Sequence, residues 1–240
     1  MPIRAILRTA ALAATTIALA IGTNAPAHAA PSNPDSDPVV SALRERLTSS
    51  GISSEVQDSL VAKFLRGEML DADTNAKPVK ESTKTIDSKL VTRYVFADGS
   101  VATGTVEQGV TVSAGVVSPN SITGCSETVN VDVHTFRNCL VAWNAATWSM
   151  DYTADYDYYQ FGSNIISLRG AHVGGIGSFS GLGTEIITAH ANSSEIALGE
   201  GHAIQALTIF GVGVNRSIGI QLKVNTRWTP RKAQESSFGS

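Results

Sequence analysis

The sequence predicts a mainly β protein, an antiparallel sandwich or open barrel with a short N-terminal α-helical hairpin. Three observations carry this expectation. Apolar residues recur at helical spacing between Val40 and Phe64, and at a spacing of two from Leu90 onward. Roughly eight to ten short strand segments follow, separated by turn residues and never by a helix. Of the 240 residues, 42% are hydrophobic and 16% charged, which excludes a wholly disordered chain and suits one domain with a small appendage. A net charge of −3 and a pI near 5.9 offer no basic face to nucleic acid.

Residues 1–29 read as a signal peptide. Arg4 and Arg8 form its positive end, Ala10 to Ile21 its apolar stretch, and Ala27-His28-Ala29 a small-x-small cleavage site. The apolar stretch is short of the ~20 residues a membrane-spanning helix needs, and no later segment is long or apolar enough. The mature chain is expected to begin at Ala30, to lack a transmembrane segment and to be extracellular. Cys125 and Cys139 are the only cysteines, and an oxidising compartment favours pairing them.

Residues 30–37 are polar and proline-rich and read as a disordered lead-in. Residues 38–70 read as a helical hairpin, either docked on the β domain or serving as a pro-segment. In its first helix Asp37 caps, Pro38 takes the first position, Val40, Leu43 and Leu47 share a face, and Gly51 ends the run. The second helix is expected to start at Ser54, with Gln57 completing a capping box. Val56, Leu60 and Phe64 form its stripe and Gly67 stops it. Residues 71–87 turn polar and read as a linker. Their start, Asp71-x-Asp73-x-Asn75, imitates a calcium loop, but Ala76 stands where Gly is needed and Ser82 where Glu is needed.

The β domain is expected over residues 88–230. Leu90 to Phe96 and Val101 to Glu107 flank an Asp98-Gly99 turn. Val110 to Val117, Thr128 to His134 and Leu140 to Trp143 follow as strands. Trp148 to Tyr158 alternates most strictly. Trp148, Met150, Tyr152, Ala154, Tyr156 and Tyr158 share one face; Ser149, Asp151, Thr153, Asp155 and Asp157 share the other. Asn164 to Arg169 and Thr184 to His190 are expected to flank a mobile glycine-rich connection, Gly170 to Gly183. In the last hairpin, Ile204, Ala206, Thr208, Phe210, Val212 and Val214 are expected to face inward with Ile218, Ile220, Leu222, Val224 and Trp228. A three-residue loop, Asn215-Arg216-Ser217, keeps the two sets together. Residues 231–240 read as a flexible tail.

The run Ser54 to Glu68, the phrase Tyr94 to Ser100, Gly124-Cys125 with Cys139, and Tyr152 to Tyr156 followed by Ile165-Ile166-Ser167 stand in a distinctive order. That order resembles a set of secreted actinobacterial β-rich proteins of unassigned function. The likeness covers most of the mature chain. It implies secretion and a Cys125–Cys139 bond, and it carries no catalytic residue across.

Asp151, Asp155 and Asp157 lie on one face of one strand, spaced about 7 to 13 Å along it. The row could hold a cation if a neighbouring segment, with Glu127 or Asp132, closed the shell, or pair two carboxylates for glycoside hydrolysis. The plainer expectation is the wet side of an amphipathic strand. His134, His172, His190 and His202 form no HExxH arrangement, and no GxSxG elbow marks a serine. The glycine-rich run lacks the lysine and following helix of a phosphate loop. No metal or cofactor is expected. Asp151, Asp155, Asp157 and His172 are the candidate ligand-binding residues.

The leading functional expectation is an extracellular binding protein for a polysaccharide or the cell envelope, resting on aromatic residues carried by an exported β scaffold. One alternative is a secreted hydrolase using Asp or His. Another is a membrane-active toxin using the glycine-rich segment and the last amphipathic hairpin. Ligand and oligomeric state stay open.

Overall fold

The computed structural model describes residues 37–111, 124–192, 195–209, 212–225 and 233–239. The expected signal peptide, most of the lead-in, most of the 110–117 strand, and Phe210 and Trp228 lie outside these residues. Pro38–Ser49 forms α1, and the Asp37 carboxylate accepts the Val39 N–H at 2.8 Å. Val40, Leu43 and Leu47 are its buried stripe. α2 is Ser54–Leu65, with Ser53 as its cap residue and Leu60, Val61 and Phe64 buried. Gln57 completes no capping box. It is buried, and its amide donates to the Ile52 carbonyl at 2.8 Å, tying the helix to the inter-helix connection. The hairpin docks on the β structure: Arg46 donates to the Ala145 and Ala146 carbonyls, and Lys63 bridges Asp71 and Asp98.

The strands are β1 (Lys80–Ile86), β2 (Lys89–Val95), β3 (Val101–Glu107), β4 (Val110–Thr111), β5 (Ser126–Asn130), β6 (Val133–Asn144) and β7 (Trp148–Tyr159). They continue as β8 (Gly162–Gly175), β9 (Ser178–Thr188), β10 (His190–Asn192), β11 (Ala197–Ile209), β12 (Val212–Val224) and β13 (Ala233–Gly239). The larger sheet runs β1-β2-β3-β6-β7-β8-β10, with β5 also on β6 and β4 on β5; the smaller runs β13-β12-β11-β9. Every pairing is antiparallel except the two-residue β4–β5 contact. The sheets stay open, so this is a sandwich. Cys125 and Cys139 are bonded and buried, joining the approach to β5 to the middle of β6.

The core lies between the sheets. On β7, Trp148, Met150, Tyr152, Ala154 and Tyr156 point inward and are buried, while the odd-numbered residues between them stay partly exposed. Opposite them, β11 presents Ala197, Gly199, Gly201 and Ala203, and β12 presents Ile218, Ile220, Leu222 and Val224.

Four expectations are corrected. Residues 71–87 are no linker: Asp71–Asp73 form a 3-10 turn with Ala72 and Asp73 buried, and β1 pairs with β2. As a sheet edge, β1 is exposed on both faces and so shows no apolar alternation. Asp87 and Ser88, both at positive φ, make the two-residue turn between β1 and β2. Residues 233–239 pair with β12 as an edge strand where a tail was expected. The Gly170 to Gly183 segment forms the end of β8 and the start of β9, crossing between sheets at Ile176-Gly177. There the backbone itself needs glycine, since a β-carbon on Gly175 would stand 2.3 Å from the Thr147 carbonyl oxygen.

The fourth correction is the register of the last hairpin. Leu207 faces Val214, Ile209 faces Val212 and Ile204 faces Ser217, so Asn215, Arg216 and Ser217 lie within β12 and form no loop. The inward face of β12 is as expected, but that of β11 is the opposite one: Ile204 is 45% exposed, while Ala203 and Gln205 are buried.

Candidate functional site

The outward face of the larger sheet carries the acidic row, and cross-strand pairing gives each carboxylate a partner. Asp155 accepts two bonds from Arg169, at 2.8 and 3.0 Å, one from Ser167, and one from the Asn138 N–H at a bulge in β6. Burial pushes its pKa up, but the Arg169, Asn138 and Ser167 bonds outweigh this and hold it below the usual carboxylate value. Asp157 accepts from Arg137 at 3.1 Å. Asp151 contacts His172 Nδ1 at 3.2 Å across β7 and β8. Of the four candidate residues, Asp151 and His172 therefore meet each other, while Asp155 and Asp157 each pair with a separate arginine. Among the described residues, no three His, Cys, Asp or Glu side chains gather as a metal site. The aromatic side chains of β7 from Trp148 to Tyr156 lie in the core and offer no stacking surface to a sugar.

Another acid–base pair stands at β5 and β6. Glu127 contacts His134 Nδ1 at 2.6 Å, and the imidazole stacks on Tyr158 with centroids 4.7 Å apart. A carboxylate-oriented imidazole suits a general base, but no serine, threonine or cysteine of the described residues bonds to it.

Beneath the helical hairpin lies a buried ionic cluster. Arg216 (6% exposed) donates to the Asp73 carbonyl at 2.9 Å, to Thr147 Oγ1 at 2.7 Å and to Gln205 Oε1 at 2.8 Å. Gln205 in turn donates to the Ile176 carbonyl at 2.7 Å. Asp73 accepts the Thr147 N–H at 2.9 Å, with its Oδ1 3.8 Å from Arg216. Complete burial raises the Asp73 pKa; Arg216, Thr147 and Arg46 offset this in part. The cluster joins the 3-10 turn, the β6–β7 turn, the sheet crossover, β11 and β12. It also accounts for the calcium-like spacing: Asp71 pairs with Lys63 at 2.7 Å while Asp73 points into the cluster.

The open site is a cleft of about 270 Å³ between the C-terminal end of α1 and the larger sheet. Arg46, Ser49 and Ser50 line it from α1 and its cap; Arg93, Thr103, Asn144 and Ala145 line it from the sheet. Arg93, Thr103 and Asn144 are directly paired neighbours on β2, β3 and β6. The row extends to Ser82 on β1 and Ser149 on β7. Five polar side chains thus cross five strands on one face, over about 19 Å at the usual strand spacing. The cleft has no carboxylate or imidazole in its lining. Sequence inspection missed it because its residues come from four separate segments.

No protein-family model matches the chain, and no curated protein or solved structure matches it.

Proposed function

We propose that this is an extracellular protein that binds a polysaccharide or a cell-envelope polymer and performs no chemistry on it. The observation that supports this best is the in-register polar row Ser82, Arg93, Thr103, Asn144 and Ser149, which opens into the cleft beside α1. Hydroxyl, amide and guanidinium groups on a rigid sheet are suited to the hydroxyls of an extended sugar chain. Secretion follows from the expected signal peptide, and the Cys125–Cys139 bond and the lack of a membrane-spanning helix among the described residues are compatible with it. Binding is preferred to hydrolysis because Asp151, Asp155 and Asp157 each hold a separate basic partner and the cleft has no acid or base. It is preferred to membrane insertion because the apolar face of β12 packs in the core.

Co-sedimentation with insoluble polysaccharides and with isolated cell envelopes tests the proposal. The wild-type protein should pellet with at least one of them and release no reducing ends. Thr103→Ala with Asn144→Ala should lower the bound fraction several-fold at unchanged urea midpoint. Failure to pellet with any of them would overturn the reading, and release of reducing ends would replace it with hydrolysis.

A further inference from the structure

The cleft has a feature that a neutral sugar would not need. Arg46 and Arg93 approach it from opposite sides, and backbone carbonyls hold both in place. Arg46 donates Nε to Ala146 at 3.0 Å and Nη2 to Ala145 at 3.1 Å; Arg93 donates Nη1 to Ser50 at 2.7 Å. These are neutral acceptors, so neither guanidinium is neutralised within the lining. Arg46 keeps Nη1, and Arg93 keeps Nε and Nη2, without a hydrogen-bond partner among the described residues. The acid whose charge acts on Arg46 is Asp73, which also serves Arg216 and Thr147. On the outward face of the sheet, Arg137 meets Asp157 and Arg169 meets Asp155, whereas Arg93, among the described residues, bonds only to a backbone carbonyl.

We propose that this cleft binds an oxyanion carried on a saccharide unit, with Arg46 and Arg93 as its two cationic jaws and Thr103, Asn144 and the Ser49 and Ser50 hydroxyls around the ring. This deepens the binding reading above and rests on it. A carboxylate or phosphate matches the planar fork of a guanidinium, and two forks already fixed by backbone bonds lose little side-chain freedom on binding. At about 270 Å³ the cleft sits just below the usual range for drug-sized ligands, so it suits one sugar residue with its charged substituent. The acid is therefore a uronate carboxylate or a polyol phosphate, two sources of one chemistry.

Titration calorimetry of the full mature chain separates the cases, with galacturonate oligomers, glycerol phosphate oligomers and uncharged glucose oligomers as probes. At least one acidic probe should bind tenfold or more tightly than the neutral one, and whichever acidic probe wins names the source. Inorganic phosphate should displace it, and raising salt from 50 to 500 mM should weaken it several-fold. Arg93→Gln should lose the acidic preference, while Arg93→Lys should retain part of it. If Arg93→Gln fails to fold, phosphate displacement and the salt series on wild type still decide. Equal binding of neutral and acidic probes, unaffected by phosphate, would overturn the oxyanion proposal and leave the sugar-binding reading standing. No binding of any probe would overturn the oxyanion proposal, and the sugar-binding reading would then be decided by the co-sedimentation test alone.

Discussion

Gly201 of β11 lies against the ring of Tyr152 on β7, where a β-carbon would stand 2.7 Å from Tyr152 Cδ1 and 3.3 Å from Met150 Sδ. Gly199 has the same relation to Leu168, at 2.8 Å. The larger sheet fills the interior with broad side chains, so the facing strand has room for little beyond backbone. Gly201→Val should therefore lose about 2 to 3 kcal/mol by overpacking. Gly213→Ala, with nothing within 4 Å, should stay within about 0.5 kcal/mol. Urea midpoints of the two variants check this. Equal midpoints would mean that the sheets do not pack in this register.

The same contact explains what was legible in the sequence and what was not. Both helices and β7 could be read because each buries one apolar face and wets the other. β11 buries Ala197, Gly199, Gly201, Ala203, Gln205 and Leu207 and exposes Ile204, so its inward face is mostly small residues and does not stand out as an apolar stripe. Its facing depends on steric fit across the sandwich, which no single strand records. Edge strands β1 and β13 were hidden for another reason: neither segment has an apolar alternation in its sequence, and backbone pairing is what places them.

Arg216 and Asp73 offer a second test. Arg216→Met leaves the Asp73 carboxylate buried without its nearest cation and should lose about 3 to 5 kcal/mol. Asp73→Asn combined with Arg216→Met removes both charges, and the double variant should recover part of that loss. A double-mutant cycle in urea reads the coupling. Strict additivity would show that the two groups do not interact.

The acidic row was visible as a pattern but not as an arrangement. Alternation placed Asp151, Asp155 and Asp157 on one face; their partners Arg169, Arg137 and His172 come from neighbouring strands whose register one strand cannot supply. The cleft was harder still. Arg46 and Arg93 are ordinary polar positions until β2, β3 and β6 align and α1 ends above them.

A third prediction concerns acid. Asp98 binds Lys63 at 2.8 Å and also accepts from Ser100 and the Asp71 N–H. Partial burial raises its pKa, but these bonds outweigh it and hold the pKa below the usual value. A carboxylate lowered on folding stabilises the fold above its unfolded pKa, about 3.9, and gives that up as pH falls through the folded value. Between pH 6 and pH 3 the wild-type urea midpoint should therefore fall further than that of Asp98→Asn. Asp73, raised by burial, acts in the opposite sense in both proteins and cancels in the comparison. Parallel falls would remove Asp98 from the acid response.

Val131 sits at φ +54° at the tip of the β5–β6 hairpin, where Asn130 pairs with Val133 across a two-residue turn, and it is 87% exposed. In that left-handed conformation a β-carbon crowds the following carbonyl, at about 1 to 2 kcal/mol. Burial does not offset this, because the side chain stands in solvent. Val131→Gly removes the crowding, while the freer unfolded chain takes back a few tenths of a kcal/mol. The net gain should be about 1 kcal/mol, or about 2 to 4 °C in Tm for a chain of this size. Val131→Pro should do the reverse, since its ring fixes φ near −65° and the turn cannot close. A thermal melt of the three proteins orders them Gly, Val, Pro from most to least stable. If the glycine variant melts at or below wild type, the turn does not hold Val131 in the left-handed region.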